Sequence, residues 1–303
     1  MKHVLLTGAT GFLGSHLLEA LLRQGDQVTI LKRSTSDTWR IKHLLEQVTA
    51  FDVDVQPLED AFKARRVDAV IHTACSYGRK GEPPHSVVDT NLLFGLRLLD
   101  AAISFNTATF INTDTFFNTG SVLPKYLNSY TLSKKHFVEW LKQSSTRIRI
   151  INLKLQHMYG PKDDQTKFVP WVISQLEKGV KRIPLTDGTQ FRDFIYIDDV
   201  VSAYLLMVET EALPDGFTEF DVGTANIVSV RRFVGELHEA FKLQNPDLHT
   251  VLGFGDIPLG TGELTEVQVD NLTLKKLGWN PKYSIDQSIK KMLISDKQNS
   301  SRR

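Results

Sequence analysis

The amino-acid sequence predicts an α/β protein built on a doubly wound parallel sheet, followed by a smaller, interleaved C-terminal domain. Three observations predict it. Short Val- and Ile-rich runs alternate with helical patterns through the first half. A Gly-rich turn, "TGATGFLGSH", follows the first of those runs. After about residue 155 the alternation gives way to helices joined by longer loops.

The elements follow in order. "HVLLT", "QVTIL", "QVTAF" and "DAVIHTA" are buried strands by length and β-branched content. Between them "GSHLLEALLRQG", "TWRIKHLLE" and "LEDAFKARR" carry apolar residues at helical spacing. "NLLFGLRLLDAAIS" then leads to a strand at "TATFINT", and the helix "SYTLSKKHFVEWLKQ" leads to "RIRIINLKL". Strand–helix alternation of this kind requires right-handed crossovers and a parallel sheet. In the second half "KFVPWVISQLEKG" and "VRRFVGELHEAF" are helices, and "FRDFIYIDDVVSAYLLMVE" returns to the first domain. The expected division is 1–155 with about 191–222 as a dinucleotide-binding domain, and about 156–190 with 223–303 as the second domain.

Composition narrows the class. The chain has 303 residues, 41% hydrophobic and 23% charged, with a formal net charge of +1. That balance gives no reason to expect a nucleic-acid polymer or a membrane surface as partner. No apolar run approaches the roughly 18 residues that span a bilayer, and the apolar N-terminal stretch is too short for a signal peptide. A single Cys, Cys75, excludes an internal disulfide and a Cys-rich zinc cage and fits a reducing cytoplasm. No metal site is expected.

The first strand ends in a loop with Gly8, Gly11 and Gly14. Gly8 suits the tight turn, Gly11 lets a pyrophosphate approach the backbone, and Gly14 lets the helix close on the strand. The N–H groups at the helix start, with Thr10, Phe12 and Leu13 around them, then face the phosphates. This is a Rossmann-type dinucleotide site. The second strand ends with Lys32, Arg33 and Ser34, where an NAD-selective site usually carries an acid for the ribose 2′-OH. Cations and a hydroxyl there suit a 2′-phosphate, so NADP(H) is the expected cofactor. Asp52, with Val53 after it, closes the third strand. It accepts from the adenine amino group or caps its loop, and both readings stay open.

Tyr130 and Lys134 are four residues apart, hence on one face of a helix. An ammonium close to a phenol favours the phenolate and makes the Tyr a better proton-transfer group. Hydroxyls precede them at a strand end, Thr113 and Thr115. A Tyr, a Lys and a hydroxyl beside a nicotinamide suit hydride transfer at a carbinol or carbonyl.

At this point the chain resembles the extended short-chain dehydrogenases/reductases, the superfamily of nucleotide-sugar epimerases, dehydratases and reductases. The matching pieces are "TGATGFLGSHL", "DAVIHTA", "NLLFGLRLLDAA", "YTLSKK", "LKLQHMYGP", "GTQFRDFIYIDDV" and "KKLGWNPKYS", which span nearly the whole chain. The resemblance implies Tyr130 and Lys134 as the catalytic pair and Thr115 as the catalytic hydroxyl. If Thr113 takes that role instead, Asp114 follows it. It also implies cofactor contacts from Thr73, Ala74, Asn91, Thr113, Leu155 and His157, with His72 a packed strand-end residue. His157 and Gln156 lie where relatives touch the nicotinamide or the substrate phosphate. Arg192 matches the arginine that clamps the nucleotide diphosphate. Lys167, with Phe168 beside it, meets a phosphate or solvent. Relatives commonly form homodimers through the helix after "NLLFG" and the Tyr helix.

Within the superfamily, "FINTDTFFN", the short gap to "YTLSKK" and "HMYGPKDDQTKFVPWVI" resemble the CDP-abequose and CDP-paratose synthases. These are NADPH-dependent 4-ketoreductases of CDP-4-keto-3,6-dideoxyglucose, in the deoxysugar biosynthesis that serves lipopolysaccharide O-antigens. Sugar 4,6-dehydratases place Asp and Glu after the catalytic Thr, whereas Phe116 and Phe117 stand there and cannot move a proton. Phe116 is expected to line the sugar pocket. The region "PLGTGELTEVQVDNLTLKKLGW" lacks the second phosphate-binding Arg of many relatives. A CDP-sugar reductase is the expected activity. A 4-epimerase, a dehydratase and a non-catalytic NADP-binding regulator are the alternatives.

Overall fold

The computed structural model describes residues 1–106, 115–210, 213–260 and 265–300, with side chains at 1–105, 120–210, 213–260 and 265–294. In chain order the first half contains β1 (His3–Thr7), α1 (Phe12–Gln24), β2 (Gln27–Lys32), β3 (Thr49–Asp52), α2 (Glu59–Ala64), β4 (Ala69–His72), α3 (Pro84–Val88), α4 (Phe94–Asn106), β5 (Thr115–Ser121), α5 (Ser129–Ser144) and β6 (Arg149–Leu155). The second half contains β7 (His157–Tyr159), α6 (Phe168–Glu177), β8 (Arg182–Leu185), β9 (Phe191–Tyr196), α7 (Ile197–Glu209), β10 (Phe217–Val222), β11 (Ile227–Ser229), α8 (Val230–Gln244), β12 (Val251–Phe254), α9 (Leu272–Lys276) and α10 (Ile285–Ser300).

The chain divides into two compact units, Met1–Leu155 with Val201–Asp221 and Gln156–Val200 with Val222–Arg303. The first is organised by a seven-stranded sheet in the order β10-β6-β5-β4-β1-β2-β3. Its pairs from β3 through β6 are parallel. The chain winds outward from β1 to β3, then restarts at β4 on the other side of β1. The loops after β1 and β4 therefore diverge, and a crevice opens at the strands' carboxyl ends. Every residue of β1 and β4 is buried, which explains their uninterrupted apolar runs. Helix α1 buries Phe12, Leu13, Leu17, Leu18 and Leu21, each large side chain contributing about 1.5–3 kcal/mol. It ends at Gly25, whose left-handed conformation (φ 89°) lets its N–H bond the Leu21 and Leu22 carbonyls.

The second unit has a three-stranded sheet, β11-β9-β7, and a two-stranded one, β12-β8. Phe194 and Phe233 stack there at 3.8 Å, with Tyr159 edge-on to Phe233 at 5.1 Å. Asp199 accepts from the Lys282 and Tyr283 backbones at 2.8 and 3.2 Å and so ties the C-terminal segment down. Among the described residues no helix is long and apolar enough to cross a membrane.

Two expectations are corrected, and a third lies outside the described residues. The helix expected over "TWRIKHLLE" is a short 3-10 turn, Lys42–Gln47. The return to the first unit begins at Val201 rather than about residue 191, because β9 pairs with β7 and β11 in the second unit's own sheet. The strand expected at "TATFINT" lies outside the described residues but for its neighbour β5, which starts at Thr115 and runs to Ser121. Both stretches are rich in Thr and Phe. Neither shows a clear apolar–polar alternation, so the sequence does not separate them as strands.

Candidate active site

The loop after β1 is built by close approach. Gly8 has φ 72°, and a Cβ on it would stand 2.5 Å from Thr73 Oγ1 and 2.7 Å from the Ala74 nitrogen. A Cβ on Gly14 would stand 2.1 Å from the Gly8 carbonyl oxygen. The loop can therefore hold only glycine at both positions. Gly11 N-caps α1 without any side-chain cap, so the first-turn N–H groups lack intrahelical partners. Such a cradle fits the pyrophosphate of a dinucleotide. Thr73 and Ala74 face this loop but are bonded within it: Thr73 Oγ1 donates to the Thr7 carbonyl at 2.8 Å, and the Ala74 N–H to Thr7 Oγ1 at 3.3 Å.

At the ends of β2 and β3, Lys32 pairs with Asp52 at 3.3 Å and Ser34 Oγ donates to the same carboxylate at 2.8 Å. Desolvation pushes Asp52 up. Hydrogen bonds from Ser34, the Asp54 N–H and Lys32, with the Lys32 charge, outweigh it and hold the carboxyl below its ordinary value. Val53 donates its N–H to the Lys32 carbonyl at 2.9 Å. Arg33 is exposed, and its guanidinium makes no ion pair among the described residues. Of the three residues read as 2′-phosphate ligands, Arg33 is thus uncommitted and the other two bind Asp52. Arg40, not singled out in the sequence, reaches the Thr10 carbonyl at 3.3 Å and stacks on Trp39 at 4.5 Å.

Tyr130 and Lys134 sit in the first two turns of α5. The helix starts at a capping box. Asn128 Oδ1 accepts from the Thr131 N–H at 2.9 Å, and Thr131 Oγ1 from the Asn128 N–H at 3.1 Å. Phe137 and Leu141 anchor the helix in the core. Tyr130 is therefore held one residue into a capped, anchored helix. Ser121, at the end of β5, lies close enough for its hydroxyl to act on the phenol. Burial pushes the phenol well above its ordinary value, and Cys75 adds to the rise. The Ser121 hydroxyl and the Arg79 guanidinium pull the other way. The expected lowering by Lys134 is not what acts here: burial pushes Lys134 itself down, against a smaller upward pull from Cys75. In this state Tyr130 holds its proton.

Thr115 is not at the carboxyl end of β5. It pairs with Ala69 and Arg149, the first residues of β4 and β6, so it opens β5 while Ser121, opposite Leu155, closes it. The hydroxyl that the structure brings to Tyr130 is Ser121, which the sequence reading passed over. The only available signal was a second hydroxyl run, "NTGS", shortly before the Tyr. Thr113 lies outside the described residues, as do the side chains of Thr115, Phe116 and Phe117.

Asn91 is fully buried in a π-helical turn, Asp89–Leu93. It accepts from the Ser76 N–H at 2.7 Å and donates to the Ser76 carbonyl at 2.8 Å and to Ser133 Oγ at 3.0 Å. Both its donors are used, so it braces the loop after β4 against α5 rather than offering them to a cofactor. His72 is buried between the Phe94 and Phe137 rings, with Nδ1 2.8 Å from Thr7 Oγ1. Burial, then the Lys134 charge, lowers its pKa to about 3.

In the second unit, Arg192 is buried on β9 and donates from Nη1 to the Phe191 carbonyl at 2.7 Å. The acids near it in sequence are engaged elsewhere: Asp193 accepts from Thr224 and Ala225, and Asp198 pairs with Lys291 at 2.7 Å. His157 lies near enough for burial and the Arg192 charge to lower its pKa to about 4. Among the described residues, its Nδ1 and both amide atoms of the buried Gln156 have no hydrogen-bond partner. Buried polar atoms without partners are rare, and at a site they mark places for a ligand. Lys167 pairs with buried Asp163 at 2.8 Å, and Phe168, half exposed, stacks on Trp171. Leu155 ends β6, buried.

The fold and the Gly loop define a dinucleotide-binding enzyme of the short-chain dehydrogenase/reductase type. The NAD-dependent epimerase/dehydratase family matches residues 4–223, and the chain belongs to that family. It is 34% identical over 297 residues to the CDP-abequose synthase of Salmonella muenchen, covering 96% of this chain and 97% of the relative. To the CDP-abequose synthase of Salmonella typhimurium it is 32% identical over 294 residues, with the same coverage. Among solved structures, the UDP-glucose 4-epimerase of Thermus thermophilus in complex with NAD superposes with a TM-score of 0.80 at 23% identity, over 98% of this chain and 99% of that one. The protein is thus a nucleotide-sugar-modifying enzyme that works with a pyridine nucleotide.

Proposed function

We propose that the protein is an NADPH-dependent 4-ketoreductase of a nucleotide-linked deoxy sugar, with CDP-4-keto-3,6-dideoxyglucose as substrate, acting in the cytoplasm. The observation that carries this reading is Tyr130, half-buried, set in the capped first turn of α5 and held as the protonated phenol near the strand-end hydroxyl of Ser121. Reduction of a ketone needs a proton donor at its oxygen, and such a phenol is one. The full-length relatives named CDP-abequose synthase support the CDP-sugar.

The bound dinucleotide supplies the hydride. As the carbonyl carbon gains it, the C4 oxygen takes the Tyr130 proton and becomes a hydroxyl. The Ser121 hydroxyl, with its one proton, offers a second hydrogen bond to that oxygen. Buried Lys134 supplies positive charge as the phenolate forms and holds the ribose next to the nicotinamide. Gly8, Gly11 and Gly14 hold the pyrophosphate, and Arg33, assisted by Lys32 and Ser34, takes the 2′-phosphate. Arg192 and His157, with Gln156, bind the diphosphate of the sugar nucleotide; Lys167 contributes charge once released from Asp163. Phe116 follows Thr115 at the end of β5 away from Ser121, so no contact with the sugar is assigned to it.

The same reading includes a homodimer. Leu93 and Trp140 are 45% and 50% exposed on the π-helical turn and α5, which pack together. Two large apolar groups on adjoining helical surfaces suit a self-complementary interface. Light scattering should give a dimer that Trp140→Glu dissociates, and a monomeric wild type refutes it. The activity is tested by supplying NADPH with freshly made CDP-, dTDP-, GDP- and UDP-linked 4-keto sugars. Oxidation with the CDP-linked sugar is expected, and none with any of the four contradicts the reading.

A further inference from the structure

The loop that leaves β4 carries an arrangement the mechanism above does not use. Asn91 fixes it at Ser76 and links it to Ser133 of α5, so the loop and the Tyr130 helix share one buried brace. The next residue, Tyr77, lays its ring 4.9 Å from the Tyr130 ring at an interplanar angle of 38°. Arg79 lays its guanidinium over the Tyr77 ring at 5.1 Å. Tyr77 is 36% exposed. Arg79 is exposed, and among the described residues its guanidinium has no hydrogen bond or ion pair. The loop's one acid, Glu82, accepts from the Lys80 N–H at 2.7 Å.

A guanidinium stacked on an aromatic ring keeps its N–H groups in plane and free to bond outward. The partner that matches this fork is a pair of phosphate oxygens. Its place in the fold says which phosphate. The dinucleotide's pyrophosphate has the Gly loop and the start of α1, whereas the Tyr77 ring lies tilted against the proton donor itself. The group brought to Tyr130 is the one that Arg79 meets. The Arg79 charge also reaches the Tyr130 phenol, favouring its ionised form.

We propose that Tyr77 and Arg79 are a positioning pair for the sugar nucleotide: the Tyr77 ring forms a wall along the sugar beside Tyr130, and the Arg79 guanidinium binds an oxygen of the diphosphate. This rests on the nucleotide-sugar reading above and adds to it a cationic contact from the first unit.

The test is calorimetric titration of the NADPH-loaded protein with CDP, UDP and the two nucleosides, alongside steady-state kinetics. Arg79→Ala should weaken whichever diphosphate the wild type binds by about 10- to 100-fold, the range of a charge-assisted hydrogen bond. Affinity for the matching nucleoside and for NADPH should stay within a factor of about two, and Arg79→Lys should recover part of the loss. Tyr77→Ala should raise KM for the keto sugar nucleotide about tenfold with a smaller change in kcat, as lost uniform binding does, and Tyr77→Phe should restore most of it. Unaltered diphosphate affinity in Arg79→Ala, or a loss confined to NADPH, overturns the proposal while the reductase reading stands. A wild type that binds neither diphosphate and reduces no nucleotide-linked keto sugar removes the reading itself, and the proposal with it.

Discussion

The loop after β1 and the end of β5 lie in one sheet, on either side of β4, but are built on different principles. The first is made of backbone. Gly8 and Gly14 are fixed by atoms that a Cβ would strike, at 2.5 and 2.1 Å. The second is made of side chains: Ser121 and Tyr130 come together because a strand of given register lies beside a capped helix, with Lys134 one turn further along that helix. A backbone site writes itself into the sequence as glycine spacing. A side-chain site does so only where the register is known. The difference teaches which parts of an enzyme of this family yield to inspection and which need coordinates.

The sharpest way to break the comparison is at the side-chain site. Tyr130→Phe keeps the ring and removes the proton, and should lower kcat by about 10²- to 10⁴-fold, the range of general acid catalysis. Its affinity for NADPH should stay within twofold, by fluorescence titration. Full turnover would mean that the phenol moves no proton.

At the backbone site Gly14→Ala puts a methyl against a carbonyl that cannot move away. About 1–3 kcal/mol of lost stability is expected from overpacking. Dinucleotide binding should fall with it, since the displaced Gly8 carries the turn. A denaturant midpoint and an NADPH titration equal to wild type would show that the close approach is not required.

The two hydroxyls sharpen the account of β5. Ser121→Ala should cost about 10- to 100-fold in kcat, the worth of one hydrogen bond of about 1.4–3 kcal/mol to charged or developing charge. Thr115→Ala, at the opposite end of the strand, should change kcat less than threefold. A larger loss in Thr115→Ala or Thr113→Ala than in Ser121→Ala would return the role to the upstream run.

The parallel sheet was legible because buried strands read as Val- and Ile-rich runs, and the dinucleotide loop because its glycines have steric causes. The pairing of Tyr130 with Lys134 on one helix followed from their spacing. The partner hydroxyl did not, because "TATFINT" and "TFFNTGS" look alike to any rule that weighs β-branched and aromatic content. Nor did the commitment of Lys32 to Asp52, since a sequence shows charges but not which of them are already paired. Tyr77 and Arg79 sit in a loop with no periodicity, and only the brace from Asn91 reveals their place.

Arg33 tests that point about pairing. Arg33→Ala should erase about tenfold of the preference for NADPH over NADH, near 1.4 kcal/mol, while Lys32→Ala, whose charge already faces Asp52, should erase less. Equal dissociation constants for the two cofactors in the wild type would end the assignment of NADP(H). The smallest effect is spectroscopic. Burial raises the Tyr130 phenol in the free protein, so its ionised form is absent at and below the ordinary value of about 10. Ultraviolet difference titration of wild type against Tyr130→Phe should show no extra phenolate below about pH 10. Arg79→Ala should push that titration higher still.

The central claim is net reduction with Tyr130 as proton donor. The direct measurement is the stoichiometry of NADPH oxidised per CDP-4-keto-3,6-dideoxyglucose consumed, followed by absorbance and by mass analysis of the sugar. The account predicts one NADPH oxidised and two hydrogens gained per sugar, with Tyr130→Phe nearly inactive. Interconversion of nucleotide-sugar epimers with no net NADPH oxidation would contradict it and identify a 4-epimerase instead.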